Sequence, residues 1–355
     1  MSTPQTAPGH GTPPPRDRLG EARQLAERAR SHARHGALDQ ALGSYDEALA
    51  LLSERVQSEL MADVLRWKGS LHRERGETEQ AVELYQRSAQ IATALSYRTG
   101  RAHALNCLGV IAMTRGNLAE AERYYGEAAR LAAEIDEQQL LGRVQQNLGI
   151  VANIRGDLET ALRHYRLSLQ TYECVGDEEA MPPVLNNIGM LHTDAARYEE
   201  ADAAYQRALT LARAQSDAVA ASIIELNRVE LLIASGRHEE AATVCDRALT
   251  AAADRGDRRR KAEGLKFRGV LERERGELEP SHLSLETALR LARECEDALL
   301  VAEVQRELGE TLWRRGDAAG ARHAWAAARD AFVQLAAERD AAAVEARLRE
   351  AQLTG

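Results

Sequence analysis

A period of 40 residues runs through almost the whole chain, and it restricts the possible folds more than any other feature of the sequence. Its most complete copy is residues 105–133, LNCLGVIAMTRGNLAEAERYYGEAARLAA. Leu105, Leu108 and Ile111 have the spacing of a helix buried along one face, and a second amphipathic stretch follows the break at residues 115–117. Each copy is therefore predicted to form a helical hairpin. Because two helices alone leave an apolar face uncovered, the copies must stack on one another.

Columns of small and large residues define the copies. A glycine marks the turn between the two helices at Gly36, Gly76, Gly116, Gly156, Gly236, Gly276 and Gly316, with Ala196 in the remaining slot. Nine positions after each turn stand Tyr45, Tyr85, Tyr125, Tyr165, Tyr205, Cys245, Leu285 and Trp325. Seven positions before the turn stand Gly69, Gly109, Gly149, Gly189, Gly269 and Gly309. Glycine costs about 1 kcal/mol relative to alanine inside a helix, so this last column predicts a close crossing of helices.

This order of columns resembles the tetratricopeptide repeat family over residues 21 to about 340. The family's usual unit has about 34 residues and a closing proline. The longer unit here, without that proline, is similar to the variant in kinesin light chain and in bacterial signalling-peptide receptors. The resemblance implies an all-α, right-handed α-solenoid of about eight helical hairpins. Val229, Ser281 and Leu285 depart from the family pattern.

The two ends of the chain differ from the repeats. Residues 1–16 hold five of the eight prolines and are predicted to be a disordered tail. Eight tandem repeats are expected over residues 17–340, followed by a capping helix in residues 341–355 that buries Val344 and Leu348. Asp177, Asp217, Asp257 and Asp297 recur at the repeat period and are predicted helix N-caps.

Composition and motifs exclude several classes of function. The net charge of −9 argues against general nucleic-acid binding. The four cysteines show no CxxC spacing, so neither a disulfide framework nor a metal site is expected. Zinc-protease and nucleotide-binding motifs are missing, so no catalysis and no cofactor are expected. No apolar run reaches the length of about 18 residues that spans a membrane, and a cytoplasmic location is predicted.

The resemblance implies that the first helix of each hairpin lines a concave groove. Positions three and two before the first-helix glycine, and one after it, would face a bound peptide. The predicted groove residues are His103, Asn106, Val110, Arg143, Gln146, Asn147, Ile150, Asn186, Asn187, Met190, Asn227 and Glu230. Asparagine is a poor helix former, and its amide can both donate to and accept from a peptide backbone. The alternative is that these amides bond to the adjacent helix and only fix the pitch of the superhelix.

These observations predict a non-catalytic adaptor or regulatory receptor that binds a peptide or protein segment in the groove. One alternative is a scaffold that self-assembles into a homo-oligomer through its convex or end surfaces. A further alternative is binding of an acidic partner, or less readily of nucleic acid, through a basic run. That run consists of Arg255, Arg258, Arg259, Arg260, Lys261, Lys266 and Arg268, and a solvated turn between repeats is the preferred explanation for it.

Overall fold

The computed structural model describes residues 17–52, 57–335 and 337–353, so the predicted tail at residues 1–16 lies outside the described residues. Those ranges contain seventeen α-helices, one 3₁₀ helix (Glu178–Ala180) and no strand. The helices are α1 (Arg18–Arg34), α2 (Leu38–Leu51), α3 (Glu59–Glu74), α4 (Thr78–Ala94), α5 (Arg98–Thr114), α6 (Leu118–Glu134), α7 (Gln138–Ile154), α8 (Leu158–Val175), α9 (Met181–Asp194), α10 (Tyr198–Ala214), α11 (Ala218–Ala234), α12 (His238–Asp254), α13 (Arg258–Glu274), α14 (Leu278–Glu294), α15 (Ala298–Arg314), α16 (Ala318–Gln334) and α17 (Glu338–Leu353).

The chain divides into two compact units, residues 1–171 and residues 172–355. In the first unit α1 packs on α2, α3 on α4 and α5 on α6; in the second, the pairs are α9 with α10, α11 with α12, α13 with α14 and α15 with α16. Within each unit, second helices also pack on the first helix of the next hairpin, as α4 does on α5 and α14 on α15. The prediction of an all-α fold of the solenoid class, built from stacked hairpins, is confirmed.

The turn inside each hairpin is a left-handed residue that closes the first helix. At Gly116 the backbone has φ 74°, its N–H donates to the Met113 carbonyl at 3.0 Å, and the N–H of Asn117 donates to the Ala112 carbonyl at 2.9 Å. These bonds satisfy carbonyls that the end of the helix would leave without partners. Ala196 adopts the same conformation, with φ 53°, although it has a Cβ. The 40-residue spacing of the turns therefore comes from a shared backbone conformation.

From the second hairpin to the eighth, a second left-handed turn joins each hairpin to the next. Its residues are Ser96, Asp136, Gly176, Ser216, Gly256 and Glu296, with φ between 54° and 68°. The aspartate that follows caps the next helix where it is present, as at Asp257, whose carboxylate accepts from the N–H of Arg260 at 3.0 Å. Asp177, Asp217 and Asp297 accept from backbone N–H groups in the same way. The predicted N-cap column is therefore observed.

A contact between a glycine and a large side chain sets the distance between the two helices of a hairpin. A Cβ added to Gly109 would lie 2.5 Å from Cε1 of Tyr125, which real Cβ atoms do not tolerate. Tyr125 itself is fully buried. In the sixth repeat the sizes are exchanged, since Val229 occupies the glycine position and Cys245 the tyrosine position, and both are buried in one cluster. The column of glycines thus serves close packing, as predicted.

The arginine before the turn glycine forms an ion pair with the preceding hairpin. The pairs are Asp39 with Arg75, Glu79 with Arg115, Glu239 with Arg275 and Glu279 with Arg315, at N–O distances of 2.5 to 2.9 Å. Each joins residues 36 apart. Because the carboxylates are exposed, each pair contributes at most about 1 kcal/mol.

The capping helix α17 closes the last hairpin. It begins at Glu338, slightly before the predicted start, and packs on α16. Val344 and Leu348 are buried in a cluster with Trp325 and Phe332 of α16. The two residues expected to face the array therefore do so.

Substitution of Gly109 by alanine should destabilise the protein by about 1–3 kcal/mol, because the new methyl group would overlap the Tyr125 ring. Gly126 in α6 is the matched control, since a Cβ there meets nothing within 4 Å. Gly126→Ala should stabilise by up to about 1 kcal/mol through helix propensity. Urea denaturation followed by circular dichroism measures both; a stabilising Gly109→Ala variant would contradict the close crossing.

Substitutions of Tyr125 separate the contribution of its ring from that of its hydroxyl. Tyr125→Ala should cost about 3–5 kcal/mol because it opens a cavity. The buried hydroxyl has no hydrogen-bond partner within the described ranges, so Tyr125→Phe should leave the stability unchanged or slightly raised. Tyr85→Phe is the comparison, since the Tyr85 hydroxyl donates to Ser70 Oγ at 3.2 Å and its loss should cost about 0.5–1.5 kcal/mol. Thermal unfolding of the three variants would contradict this account if Tyr125→Ala matched the unsubstituted protein.

Candidate functional site

Asparagine side chains on successive first helices are hydrogen-bonded in pairs. In the first unit, Asn147 Nδ2 of α7 donates to Asn106 Oδ1 of α5 at 3.0 Å. In the second unit, Asn227 Nδ2 of α11 donates to Asn186 Oδ1 of α9 at 2.9 Å. The partners are 41 residues apart, one residue off the repeat period. The amides therefore form one pair in each unit. Each pair bonds one first helix to the next, as the alternative interpretation of the sequence expected.

The pairing leaves most of each amide available. A carboxamide has two N–H donors and an oxygen with two lone pairs. One bond within a pair uses one donor of Asn147 and one lone pair of Asn106. Asn106 and Asn186 are buried, whereas Asn147 and Asn227 are half-buried and reachable by solvent. Each pair thus presents a fixed amide with remaining donors and acceptors.

The other predicted groove residues lie on these same first helices. Val110 is on α5, Gln146 and Ile150 are on α7, and Asn187 and Met190 are on α9. All are half-buried except Met190, which is 41% exposed. Apolar side chains therefore stand one turn beyond the amides, in reach of solvent.

The first unit places two basic groups, Arg66 and Arg143, near His103, which lies on α5 with Asn106. Arg66 of α3 pairs with Asp63 at 3.0 Å, and the Tyr97 hydroxyl donates to the same carboxylate at 3.0 Å. Burial, together with the positive charges of Arg66 and Arg143, lowers the pKa of His103 to about 4. His103 is therefore neutral at pH 7, and the exposed Arg143 carries positive charge on this surface.

The second unit carries carboxylates on the equivalent surface. Solvent reaches the side chain of Glu230, but the surrounding protein limits its solvation and raises its pKa. Negative charge on Glu303 and Asp194 acts in the same direction, while Lys266 and Arg306 oppose it. A group that neutralises Glu230 would relieve this penalty.

Lys266 lies with the groove residues, although the sequence places it in the basic run. It occupies the column of Asn106 and Asn186, is only 9% exposed and donates to Glu303 Oε2 at 2.6 Å. Its Nζ is 4.4 Å from the centre of the Phe267 ring. Lys266 and Phe267 line a small cavity of about 130 Å³ together with Glu230 and Arg306.

Most of the remaining basic run is already paired with carboxylates. The pairs are Arg258 with Glu294, Arg259 with Asp297, Arg260 with Glu263 and Arg268 with Asp246, at 2.6 to 3.6 Å. Arg255 and Lys261 are exposed. The seven cations are spread around a turn and along α13.

An aromatic residue that is missing from the predicted site lies in the same column of first-helix positions as Asn147. Trp67 of α3 occupies the position of Asn147, stacks near Tyr45 at 6.5 Å, and has the Arg30 guanidinium 4.9 Å from its ring centre. Cavities of about 530 and 270 Å³ lie beside it. Its position in the asparagine column was visible in the sequence and would have identified it.

The described ranges show no sign of a metal site or a membrane span. No cluster of three or more His, Cys, Asp or Glu residues there is arranged to hold a metal ion. Among the helices of those ranges, none is both long and apolar enough to cross a bilayer. Cys107, Cys174, Cys245 and Cys295 are free thiols.

Solved structures with the same fold include a bacterial quorum sensor and two Rap proteins. The apo quorum sensor NprR from B. thuringiensis superimposes with a TM-score of 0.71 at 14% identity, covering 88% of this chain and 87% of that one. Apo RapI gives 0.62 at 14% identity, covering 78% and 99%. A Rap protein complexed with Competence and Sporulation Factor gives 0.59 at 15% identity, covering 95% and 98%. At such identities the likeness shows the fold alone.

Sequence models of the tetratricopeptide repeat match three stretches of the chain, residues 26–96, 100–173 and 184–214. No curated protein sequence is significantly similar to the chain. The matched stretches contain the glycine and tyrosine columns whose contacts hold each hairpin together. This chain belongs to the tetratricopeptide repeat family.

Proposed function

We propose that the chain is a non-catalytic adaptor or receptor that binds a peptide segment of a partner on its first helices. The observation that carries this proposal is the pair of hydrogen-bonded asparagines in each unit. A side-chain amide held by one bond is oriented in advance, so a peptide backbone that bonds to it loses less entropy on binding. Each such bond contributes about 0.5–1.5 kcal/mol.

Residues next to each asparagine pair supply the apolar surface that a peptide site needs. Val110 and Ile150 in the first unit, and Met190 in the second, offer apolar surface one turn from the amides. Sites of this kind combine mostly apolar contact with a few fixed polar groups. The basic surface around Arg143 favours acidic peptide side chains, while Glu230 favours a basic one. The names of the similar structures, a quorum sensor and a Rap protein with a bound factor, support a peptide ligand.

The decisive experiment uses a peptide selected from a displayed random library on the full chain. Replacing both members of a pair, as in Asn106→Ala with Asn147→Ala, removes donor and acceptor together and so leaves no buried group unsatisfied. We expect this double variant to keep its melting temperature within error and to lose about 1–3 kcal/mol of binding free energy, as measured by calorimetry. The pair Asn186 and Asn227 is tested in the same way.

The matched control is Gln86→Ala with Gln90→Ala, which removes two exposed amides from the second helix α4. Its affinity for the peptide should equal that of the unsubstituted protein. Unchanged peptide binding in both asparagine double variants would mean that the amides only link helices. Failure to select any peptide, with an oligomer detected by light scattering, would replace the proposal by the scaffold alternative.

A further inference from the structure

An open cavity lies where the fifth and sixth repeats meet. It has a volume of about 490 Å³ and lies between α10, α11 and α12 of the second unit. Its lining includes Ala221 and Glu225 of α11 and Ala251 of α12.

In the second repeat, larger apolar side chains fill this space. One hundred and sixty residues earlier, the positions of Ala221, Glu225 and Ala251 are taken by Met61, Leu65 and Ile91. Those three side chains are 1–3% exposed and belong to one hydrophobic cluster. Replacing two large side chains by alanine removes the volume of several methylene groups, and a rigid helical frame does not collapse fully into such a gap.

The base of the cavity carries a hydroxyl without a partner. Ser222 is 3% exposed, and its Oγ finds no hydrogen-bond partner in the described part of the chain. Equivalent positions hold Ala62, Ala102, Ala262 and Ala302, so packing alone does not call for a hydroxyl. A buried hydroxyl that makes no bond costs about 1–3 kcal/mol, which a polar ligand atom would recover.

The mouth of the cavity is basic. Glu225 is almost fully buried, and a single oxygen of its carboxylate accepts from Arg213 at 2.7 Å and from Arg247 at 2.9 Å. Both arginines are about half exposed, and the exposed Arg255 lines the same cavity. The carboxylate of Asp217 is occupied in capping α11. Three guanidinium groups therefore meet two carboxylates, which leaves an excess of positive charge at the opening.

The cavity is separate from the proposed peptide site. Asn227 and Glu230 lie roughly 140–200° around α11 from Glu225, at about 100° per residue. A ligand in the cavity therefore contacts the opposite side of this helix from a peptide on the asparagine column.

We propose that this cavity binds a small organic anion with an apolar body, its acid group at Arg213, Arg247 and Arg255 and a neutral oxygen at Ser222. The volume lies within the range of about 300–1,000 Å³ typical of small-molecule sites. The methyl groups of Ala218, Ala221 and Ala251 contact the body of the ligand. An apolar side chain from a protein partner would leave the Ser222 hydroxyl without a partner, so a small molecule fits better.

Calorimetric titration of the full chain with three probes that share an eight-carbon chain tests the proposal. The probes are 8-hydroxyoctanoate, octanoate and octane-1,8-diol. We expect 8-hydroxyoctanoate to bind most tightly, octanoate about 3–10-fold more weakly because it lacks the second oxygen, and the diol weakest because it lacks the acid. Ser222→Ala should remove the difference between the first two probes, and Arg255→Gln should weaken both acids.

The filling variant is Ala221→Met, which restores the side chain that Met61 and Met181 provide in other repeats. It should abolish binding of all three probes while the protein remains folded. Val219→Met is its control, since Val219 lies on the same helix, is 59% exposed and does not line the cavity. Binding that survives in Ala221→Met, equal binding of the diol and the acids, or no binding of any probe would each overturn the proposal.

Discussion

The contact between an in-helix glycine and a large side chain sixteen residues later is the constraint on which six of the eight hairpins depend. It sets how closely the two helices approach, because the ring of Tyr125 occupies the space that a Cβ at position 109 would need. Glycine's low helix propensity costs about 1 kcal/mol, and burial of a whole aromatic ring offsets this cost. Once the distance between the two helices is fixed, the left-handed turn within a hairpin and the one after it give the next hairpin an equivalent position.

Because the core contacts repeat, the positions outside them are free to differ between repeats. On the first helices, these positions hold Trp67 and the two asparagine pairs. Basic groups lie near His103 in the first unit, and carboxylates lie near Glu230 in the second. On the opposite side of α11, truncation of two core side chains to Ala221 and Ala251 leaves a cavity. The candidate binding features therefore arise where a repeat departs from the pattern that holds the fold.

The fold was predictable from the sequence because each structural requirement selects one residue type. Left-handed φ selects glycine at the turn, and an N-cap selects aspartate. The second turn escaped prediction, because Ser96, Asp136 and Glu296 adopt the same φ without a shared identity. The positions of the groove residues on first helices followed from the period, but their partners did not. Asn147 bonds to Asn106, one residue off the column, since adjacent helices are offset as well as stacked.

Charged residues were the hardest to place from the sequence. Lys266 belongs to a basic run in the sequence but pairs with Glu303 of α15, because the run extends along several turns of α13 and its members point in different directions. The pairing of Arg75 with Asp39 also depends on a distance between hairpins that a single repeat does not reveal. Local pattern identifies which face is buried, whereas the ion pairs depend on tertiary geometry.

The most direct test of this account exchanges the sizes of one glycine and tyrosine pair, as the sixth repeat does with Val229 and Cys245. Hydrogen exchange of the α7 amides would be measured in Gly149→Val, in Tyr165→Cys and in the double variant. Each single change should destabilise the hairpin, one by overlap and the other by opening a cavity. We expect the double variant to lose less stability than the sum of the two single losses, with a coupling free energy of about 0.5–3 kcal/mol. Additive effects would contradict it, because they would mean that the two positions do not set the approach of the helices together.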